Sequence, residues 1–476
     1  MLTFDVRIYE LEIRPDRPKP YRLHWKVGTR KHSKSFRLKP QADGRRAQLM
    51  AALQNGEQFD IELGFPTSEL RALNTITWYQ HALDYVLMKW PRVAAKHRAG
   101  IADALATATP TLLRAGAKGA PAPRVLRAAL YEWAFRLIRV PNDADGEPAF
   151  VTRAEAEQPP PEIVRALTWI ASNSLPINDA ARPANVRKAL SAISVTLKGK
   201  PAAENTTRRK RMVLNSVFNY AIEREQLDSN PLKRVDWQAP NTDEEVDFRF
   251  VPGPKLAKAL IDGVRAQGRR GEHLHAFFGC FYYAAMRPSE IASLKDTDCV
   301  LPPEEKAEEW GELLLSESRP EVGSGWTDDG KPYQKRGLKR RARKTTRPVP
   351  IPPVLVRMLR EHIKEHGVAP DGRLFRAVRG GRVRSTEYCE MWQEARKKVL
   401  SPTDANSLLA DVPYKLRHAG VSLWIRAGVE PPEVARRAGH SLAVLYRIYA
   451  KILRGRETHA NALIAKALQE EGVESA

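Results

Sequence analysis

The chain has 476 residues, with 78 Lys plus Arg against 56 Asp plus Glu, a formal net charge of +22 and a pI near 9.9; this balance favours a polyanionic partner, and the length suits two to four domains. A hydrophobic fraction of 42% with ten tryptophans excludes a disordered basic tail, and the three cysteines, Cys280, Cys299 and Cys389, form no CxxC pair, which argues against a structural zinc site or a disulfide scaffold and fits a reducing cytoplasm. The longest apolar run, 276–286, is too short to cross a bilayer and no secretory signal opens the chain, so no membrane partner is expected.

Residues 1–66 open with period-two segments: Phe4, Val6, Ile8 and Leu11, then 21–27, a turn at Gly28-Thr29, and 34–38. Alternation interrupted by such turns predicts a small antiparallel sheet of three strands, followed by a helix over 42–55. One face of that sheet is expected to carry Arg22, His24, Lys26, Lys31, Lys34 and Arg37. Gly64-Phe65-Pro66 closes the unit.

From 72 to 236 helical spacing dominates, and an all-α domain is predicted. Trp78, Tyr79, Leu83, Tyr85, Val86 and Trp90 recur on one face, and further helices are expected at 91–108, 121–139, 161–175, 182–198 and 205–226. In the last of these, Asn205-Thr206-Thr207 reads as the cap, and Arg208, Arg209, Lys210 and Arg211 load the first turn. Cations at a helix N-terminus oppose its dipole, so a basic first turn makes sense against phosphates; a solvated charge run is the plainer alternative. Residues 237–246 read as a linker.

The remaining residues, 247–476, mix helical patterns with a short sheet that includes 311–316 and Val349-Pro350-Ile351. A buried-helix run, 274–286, leads into Arg287-Pro288-Ser289-Glu290, with Ile291 and Leu294 at helical spacing. Proline suits a first helical turn, so Arg287 is expected at a helix mouth where the dipole adds to its own charge. A glycine-containing loop at 317–337 has no assignment. The basic run 335–347 contains Lys339, Arg340, Arg341 and Lys344. Residues 413–453 then place Arg417-His418, Gly439-His440, Tyr446 and Tyr449 within about forty residues of predicted helix, with breaks at Gly428 and Gly439. His362 and His366 sit four apart in H-x-x-E-H, the letter of a zinc peptidase motif. They continue the apolar stripe of Leu355, Met358 and Leu359 and no third ligand is marked, so no metal is expected.

The order Arg-His, Gly-His and then Tyr nine positions after that histidine resembles the C-terminal signature of the tyrosine recombinase (phage integrase) family. The segment 284–294, Ala-Ala-Met-Arg-Pro-Ser-Glu-Ile-Ala-Ser-Leu, is similar to the family's first-arginine motif, with Ala285 and Met286 in place of glycine and leucine. The resemblance implies that Tyr449 is the nucleophile, with Tyr446 as its rival. It also makes Arg287 and Arg417 the phosphate clamps, sets His440 on the scissile phosphate, and makes Lys339, with Lys344 as its rival, the general acid on a β-hairpin that leaves through Val349. Glu290 is expected to position the region. Many members carry histidine three residues before the second arginine, where this chain has Tyr414; on one helix face with Arg417, a phenol can donate to the phosphate but supplies no cation.

The chemistry accounts for those residue types. A phenol with a pKa of about 10 is a poor nucleophile near neutrality, arginines can hold non-bridging oxygens bidentately, and a proton donor serves the departing 5′ oxygen. The 3′-phosphotyrosine so formed conserves the bond energy, so neither metal, ATP nor other cofactor is implied. By resemblance, residues 1–66 are similar to an arm-type DNA-binding domain, though a protein-interaction module remains an alternative. Residues 72–236 are similar to a core-binding clamp, and 247–476 to a mixed α+β catalytic domain whose C-terminal helix contacts a neighbouring protomer. The implied partners are double-stranded DNA attachment sites and a homotetramer on DNA, with room for accessory directionality or bending proteins. Two other functions remain: a type IB topoisomerase-like nicking-closing enzyme, and an architectural binder with a dead catalytic domain.

Overall fold

A computed structural model describes residues 1–73, 76–141, 149–238, 246–306, 308–338, 346–454 and 457–470. The chain divides into two compact units, Met1–Pro240 and Asn241–Ala476. Among the described residues no helix is long and apolar enough to cross a membrane.

In the first unit, Tyr21–Val27 is the central strand, because Leu23, Trp25 and Val27 alternate onto one face and are buried there with Leu49, Ala52 and Phe59. Arg30–Phe36 pairs along its whole length on one side. The expected first strand is broken: Val6–Ile8 and Glu12–Ile13 are separate short strands, both antiparallel to Tyr21–Val27 on its other side, so the sheet has four strands rather than three. The helix Lys39–Gln54 covers the apolar face.

The helices that follow, among them Trp78–Lys89, Ala95–Ala108, Pro161–Asn173, Pro183–Ile193 and Glu204–Glu223, occur near the predicted positions. The region is nonetheless not all-α. The expected helix over 121–139 is helical only over Pro123–Ala128, widens to a π turn at Ala129–Ala134 and ends. Leu137–Val140 then forms an antiparallel ribbon with Ala149–Thr152; the apolar and β-branched residues Leu137, Ile138, Val140, Phe150, Val151 and Thr152 suit a strand pair better than a helix.

The second unit is a mixed α+β fold around one core. The helices Pro254–Arg265, Gly268–Tyr283, Ser385–Val399 and Tyr414–Arg426 pack together, with Phe277, Phe278, Phe281 and Trp392 fully buried. Phe278 stacks on Trp392 with ring centroids 5.4 Å apart. A small sheet runs in the order Arg347–Ile351, Gly311–Leu315, Cys299–Val300, with Gly311 opposite Ile351 and Leu315 opposite Arg347. The glycine-containing loop leaves through Glu317–Ser318 and returns through Arg336–Gly337, which pair with each other, and Trp326 is buried within it. Helix-to-helix approach is close where Gly420 lies on Tyr282: a Cβ at that glycine would collide with the Tyr282 carbonyl oxygen. The C-terminal helix Glu457–Glu470 leaves Leu463 and Ile464 exposed.

Candidate active site

Three guanidinium groups and one carboxylate meet at the turn that ends the helix Pro431–Ala438. Gly439 closes that helix in the left-handed conformation, φ +65°, and a Cβ there would run into the Arg347 guanidinium, so both backbone and space call for glycine. Arg287 donates from Nη2 to the Gly439 carbonyl oxygen (2.8 Å) and from Nη1 to Glu290 Oε1 (2.9 Å). Arg417 donates from Nη2 to the Ala438 carbonyl oxygen (2.6 Å) and to His440 Nε2 (2.8 Å), and from Nη1 to the Ala285 carbonyl oxygen. Arg347 donates to Glu290 Oε2 (2.8 Å) and more distantly to the Ala438 carbonyl oxygen (3.4 Å).

Glu290 and Arg347 are 2% and 1% exposed and Arg417 is fully buried. Burial works to raise the Glu290 pKa, but Arg347, Arg287 and Arg417 outweigh it and hold the carboxyl at about 2. Three cations against one carboxylate leave the cluster positive.

The helix mouth differs from expectation. Pro288–Ile291 is a single turn, and the Arg287 backbone N–H is already taken by Glu290 Oε2 at 2.9 Å, so a dipole contributes little and the charge of Arg287 itself is what remains. Ala285 adopts φ +44° at the place where the family motif has glycine. It bears a conformation that glycine reaches without strain, and its carbonyl is held by Arg417.

Tyr449 lies against this cluster. The helix Leu442–Arg454 loses helical geometry at Tyr449, φ −113° and ψ 18°. Its ring is fully buried, 5.9 Å from Phe248 and 6.2 Å from His440 between centroids. Burial raises the phenol pKa above its ordinary value, against smaller opposing effects of Arg417 and Arg287. The phenolic oxygen is 2.9 Å from His418 Nδ1. Burial, then Arg417 and Lys415, hold His418 at about 3; burial, then Arg417 and Arg287, hold His440 at about 3. Both rings are therefore neutral near pH 7. Because Arg417 can only donate, His440 Nε2 accepts and Nδ1 carries the proton. Among the described residues that buried Nδ1 has no partner, and neither do Arg417 Nε and Arg347 Nε. Unpaired buried N–H groups are costly, and three around a positive cluster are what an oxyanion would satisfy.

The structure thus brings together Arg287, Arg417, His440 and Tyr449. Tyr414 is beside them, its ring 5.2 Å from that of His418 and 5.9 Å from the Arg417 guanidinium carbon. Tyr446 is half exposed, unlike the fully buried Tyr449. Lys339, Arg340, Arg341 and Lys344 lie outside the described residues. Two contributors escaped the sequence reading. Arg347 was hidden in a basic run, although its alternation with Val349 and Ile351 in one strand marks it as inward-facing. His418 follows Arg417 in the sequence without any mark of its own, and only the fold puts it on the Tyr449 oxygen.

The other basic candidates are more dispersed. Glu204–Glu223 begins one residue earlier than the expected cap and has no side-chain cap, and Thr207 is buried in it, so Arg208, Arg209, Lys210 and Arg211 occupy the second turn, not the first. Lys210 turns inward to Asp103 (3.0 Å) and Thr107 (3.0 Å), and Arg211 lies over the Trp237 ring at 4.6 Å. Arg208 is partly buried and Arg209 is exposed. On the sheet, Arg22 and Lys26 share a face with His24, Arg7 and Lys31, while Glu12 on that face takes His24 at 2.7 Å. Lys34 pairs in register with Leu23 and so belongs to the opposite face. His362 donates from Nε2 to the Leu374 carbonyl oxygen (2.9 Å), and rings of His273, His362 and His366 lie 4.9–5.1 Å apart; among the described residues no group of three or more His, Cys, Asp or Glu could hold a metal ion.

No family model and no curated relative matches the chain. Among solved structures, it is similar to the Tn1549 transposon integrase (residues 82–397, in complex with circular intermediate DNA) at 17% identity and TM-score 0.43, over 62% of this chain and 91% of that one. It is also similar to the XerH site-specific recombinase bound to palindromic difH substrate at 12% identity and TM-score 0.42, over 77% and 96%. A third likeness is to lambda integrase (residues 75–356) bound to DNA, at 13% identity and TM-score 0.37, over 64% and 94%.

Proposed function

We propose that this chain is a site-specific DNA recombinase of the tyrosine recombinase type, an integrase that joins or releases a mobile element in a bacterial cytoplasm through a 3′-phosphotyrosine intermediate. The observation that carries this reading is the set of buried N–H groups, on Arg417, Arg347 and His440, that find no acceptor among the described residues, inside a positive cluster that abuts a buried tyrosine. A phosphodiester supplies the missing acceptors and the negative charge together.

In the proposed reaction, the phosphodiester exchanges its oxygens for the carbonyl contacts that now occupy Arg287 and Arg417. Arg287, the most exposed of the three guanidinium groups, meets it first. Tyr449 Oη attacks phosphorus, and the electron pair of the P–O5′ bond leaves with the 5′ oxygen, which takes a proton from Lys339 or Lys344. Tyr414 is a further donor near Arg417. Glu290 holds Arg287 and Arg347 in place and does not react. Metal and ATP have no part in these steps. The net charge of +22 suits a duplex partner, and the exposed Leu463 and Ile464 suit the protomer contact of a tetramer on DNA. Arg22, Lys26, Arg209 and the lysine-rich loop are the proposed backbone contacts, and accessory bending or directionality proteins are further partners.

A nicked suicide duplex carrying the sequence that flanks the gene tests the reading. Tyr449→Phe should bind it with unchanged affinity and form no covalent adduct, while Tyr446→Phe should still form it. An adduct on the Tyr449→Phe chain would move the nucleophile elsewhere. Relaxation of supercoiled plasmid without strand exchange would favour the topoisomerase-like reading.

A further inference from the structure

The helix Tyr414–Arg426 presents Tyr414 and His418 one turn apart on one face, with rings in edge contact. The position three before Arg417, where the family resemblance has histidine, holds a phenol that cannot accept a proton at neutral pH. An imidazole is present on that face, but displaced by four residues, and its Nδ1 is 2.9 Å from the Tyr449 oxygen. That distance is within the reach required of a general base.

We propose that His418 is the general base for Tyr449, taking the phenolic proton through Nδ1. The inference rests on the recombinase reading and adds to it a residue that touches the reacting oxygen. In the balanced step the Oη–H bond breaks, its proton passes to His418 Nδ1, and the Oη–P bond forms. The P–O5′ bond breaks with its electron pair on the 5′ oxygen, which is protonated by the general acid proposed above. Rejoining runs the transfer in reverse, the imidazolium returning its proton to Oη.

The surroundings fit a base that works only when substrate is present. The charged and titratable groups around His418 are Arg417, Lys415 and Tyr414 on its own helix, Tyr449 on the helix packed against it, and His440 at the adjoining turn. Burial first, and then the cations Arg417 and Lys415, keep the ring neutral, with a lone pair free, and make a charged imidazolium unfavourable. A phosphodiester bound at Arg417 cancels that neighbouring charge and raises the proton affinity of the ring as the nucleophile is needed. Without substrate, the phenol stays buried and protonated.

The test measures the rate of adduct formation on the suicide duplex between pH 6 and 9 for the full chain and for His418→Asn and His418→Ala. Asparagine can accept the phenolic hydrogen bond but cannot take the proton. The expected result is a loss of roughly 10²-fold or more at pH 7 in both variants, with unchanged duplex affinity and a deficit that shrinks as pH rises toward phenol ionisation. His418→Asn at the unmodified chain's rate and pH profile would overturn the proposal, because a hydrogen-bond acceptor alone would then suffice. Should the variants not fold, a fluorinated, more acidic tyrosine at position 449 of the otherwise unchanged chain decides it. The acid limb of the rate profile stays in place if His418 sets it, and moves with the phenol pKa if His418 does not. Absence of any adduct from the unmodified chain on that duplex, with Tyr449 intact, would count against the recombinase reading itself.

Discussion

Glu290 carries a role out of proportion to its exposure. It neutralises part of the charge of Arg287 and Arg347 and caps the backbone of the single turn that begins after Arg287. Breaking a buried ion pair by removing one partner leaves the other charged and unsolvated, at a cost of about 3–5 kcal/mol. Glu290→Gln should therefore lower the stability of the C-terminal unit by about 3 kcal/mol, read as faster hydrogen exchange in 268–294. The carboxyl is held at about 2, below its usual value of 4.5. Its contribution is thus complete above pH 4.5 and lost as pH falls from there toward 2, and the variant should show no such loss. Equal exchange in the two proteins at pH 7 would mean that Glu290 is not the keystone of the cluster.

Among the elements, the helix Glu204–Glu223 sends in different directions four cations that its sequence presents as one run, and on the proposed recombinase reading this separates an inward structural contact from a contact to DNA. Four consecutive cations look interchangeable in a linear pattern, but at 100° per residue they point in four directions. Lys210 meets Asp103, whose carboxyl Arg127 also holds; burial would raise the Asp103 pKa, and these two cations bring it below its ordinary value. Arg209 remains exposed. Lys210→Met is expected to reduce the thermal stability of the N-terminal unit by about 1–3 kcal/mol, with little change in affinity for DNA. Arg209→Ala should leave stability within about 0.5 kcal/mol and lower the salt slope of DNA binding by about one. A reversed outcome, with Lys210 governing the salt slope, would show that the inward ion pair opens on DNA. The ribbon Leu137–Val140/Ala149–Thr152 teaches a related lesson: a short apolar run reads equally as helix or strand, and its pairing partner, twelve residues on, decided for strand.

For the molecule as a whole, four buried histidines should give the C-terminal unit a marked pH dependence. His273 and His362 are held at about 3 and about 4, first by burial and then by neighbouring cations and histidines, and His418 and His440 at about 3. Their ordinary value is 6.5, so between pH 6.5 and 3–4 the unfolded chain binds protons that the folded chain refuses. Stability must then fall as pH drops through that window. Hydrogen exchange at fixed intrinsic rate should show 268–283 and 414–426 less protected at pH 5 than at pH 7.5, and equal protection would place these rings in water.

Much of this was legible in the residues themselves. Charge balance, period-two alternation at Leu23, Trp25 and Val27, helical stripes, and the choice of Arg287, Arg417, His440 and Tyr449 as site candidates all precede any coordinates, because local propensity and side-chain chemistry are properties of short stretches. The tertiary structure alone decided which polar groups meet. Arg287 reaches a carbonyl 152 positions away and Arg417 one 132 positions away, Arg347 leaves a basic run to become a buried partner of Glu290, and His418 finds the Tyr449 oxygen. Periodicity tells which face is apolar and must be covered; it carries no information about which distant donor will be packed against which acceptor, and at this site those pairings set the charge, the proton positions and the closed state of the phenol.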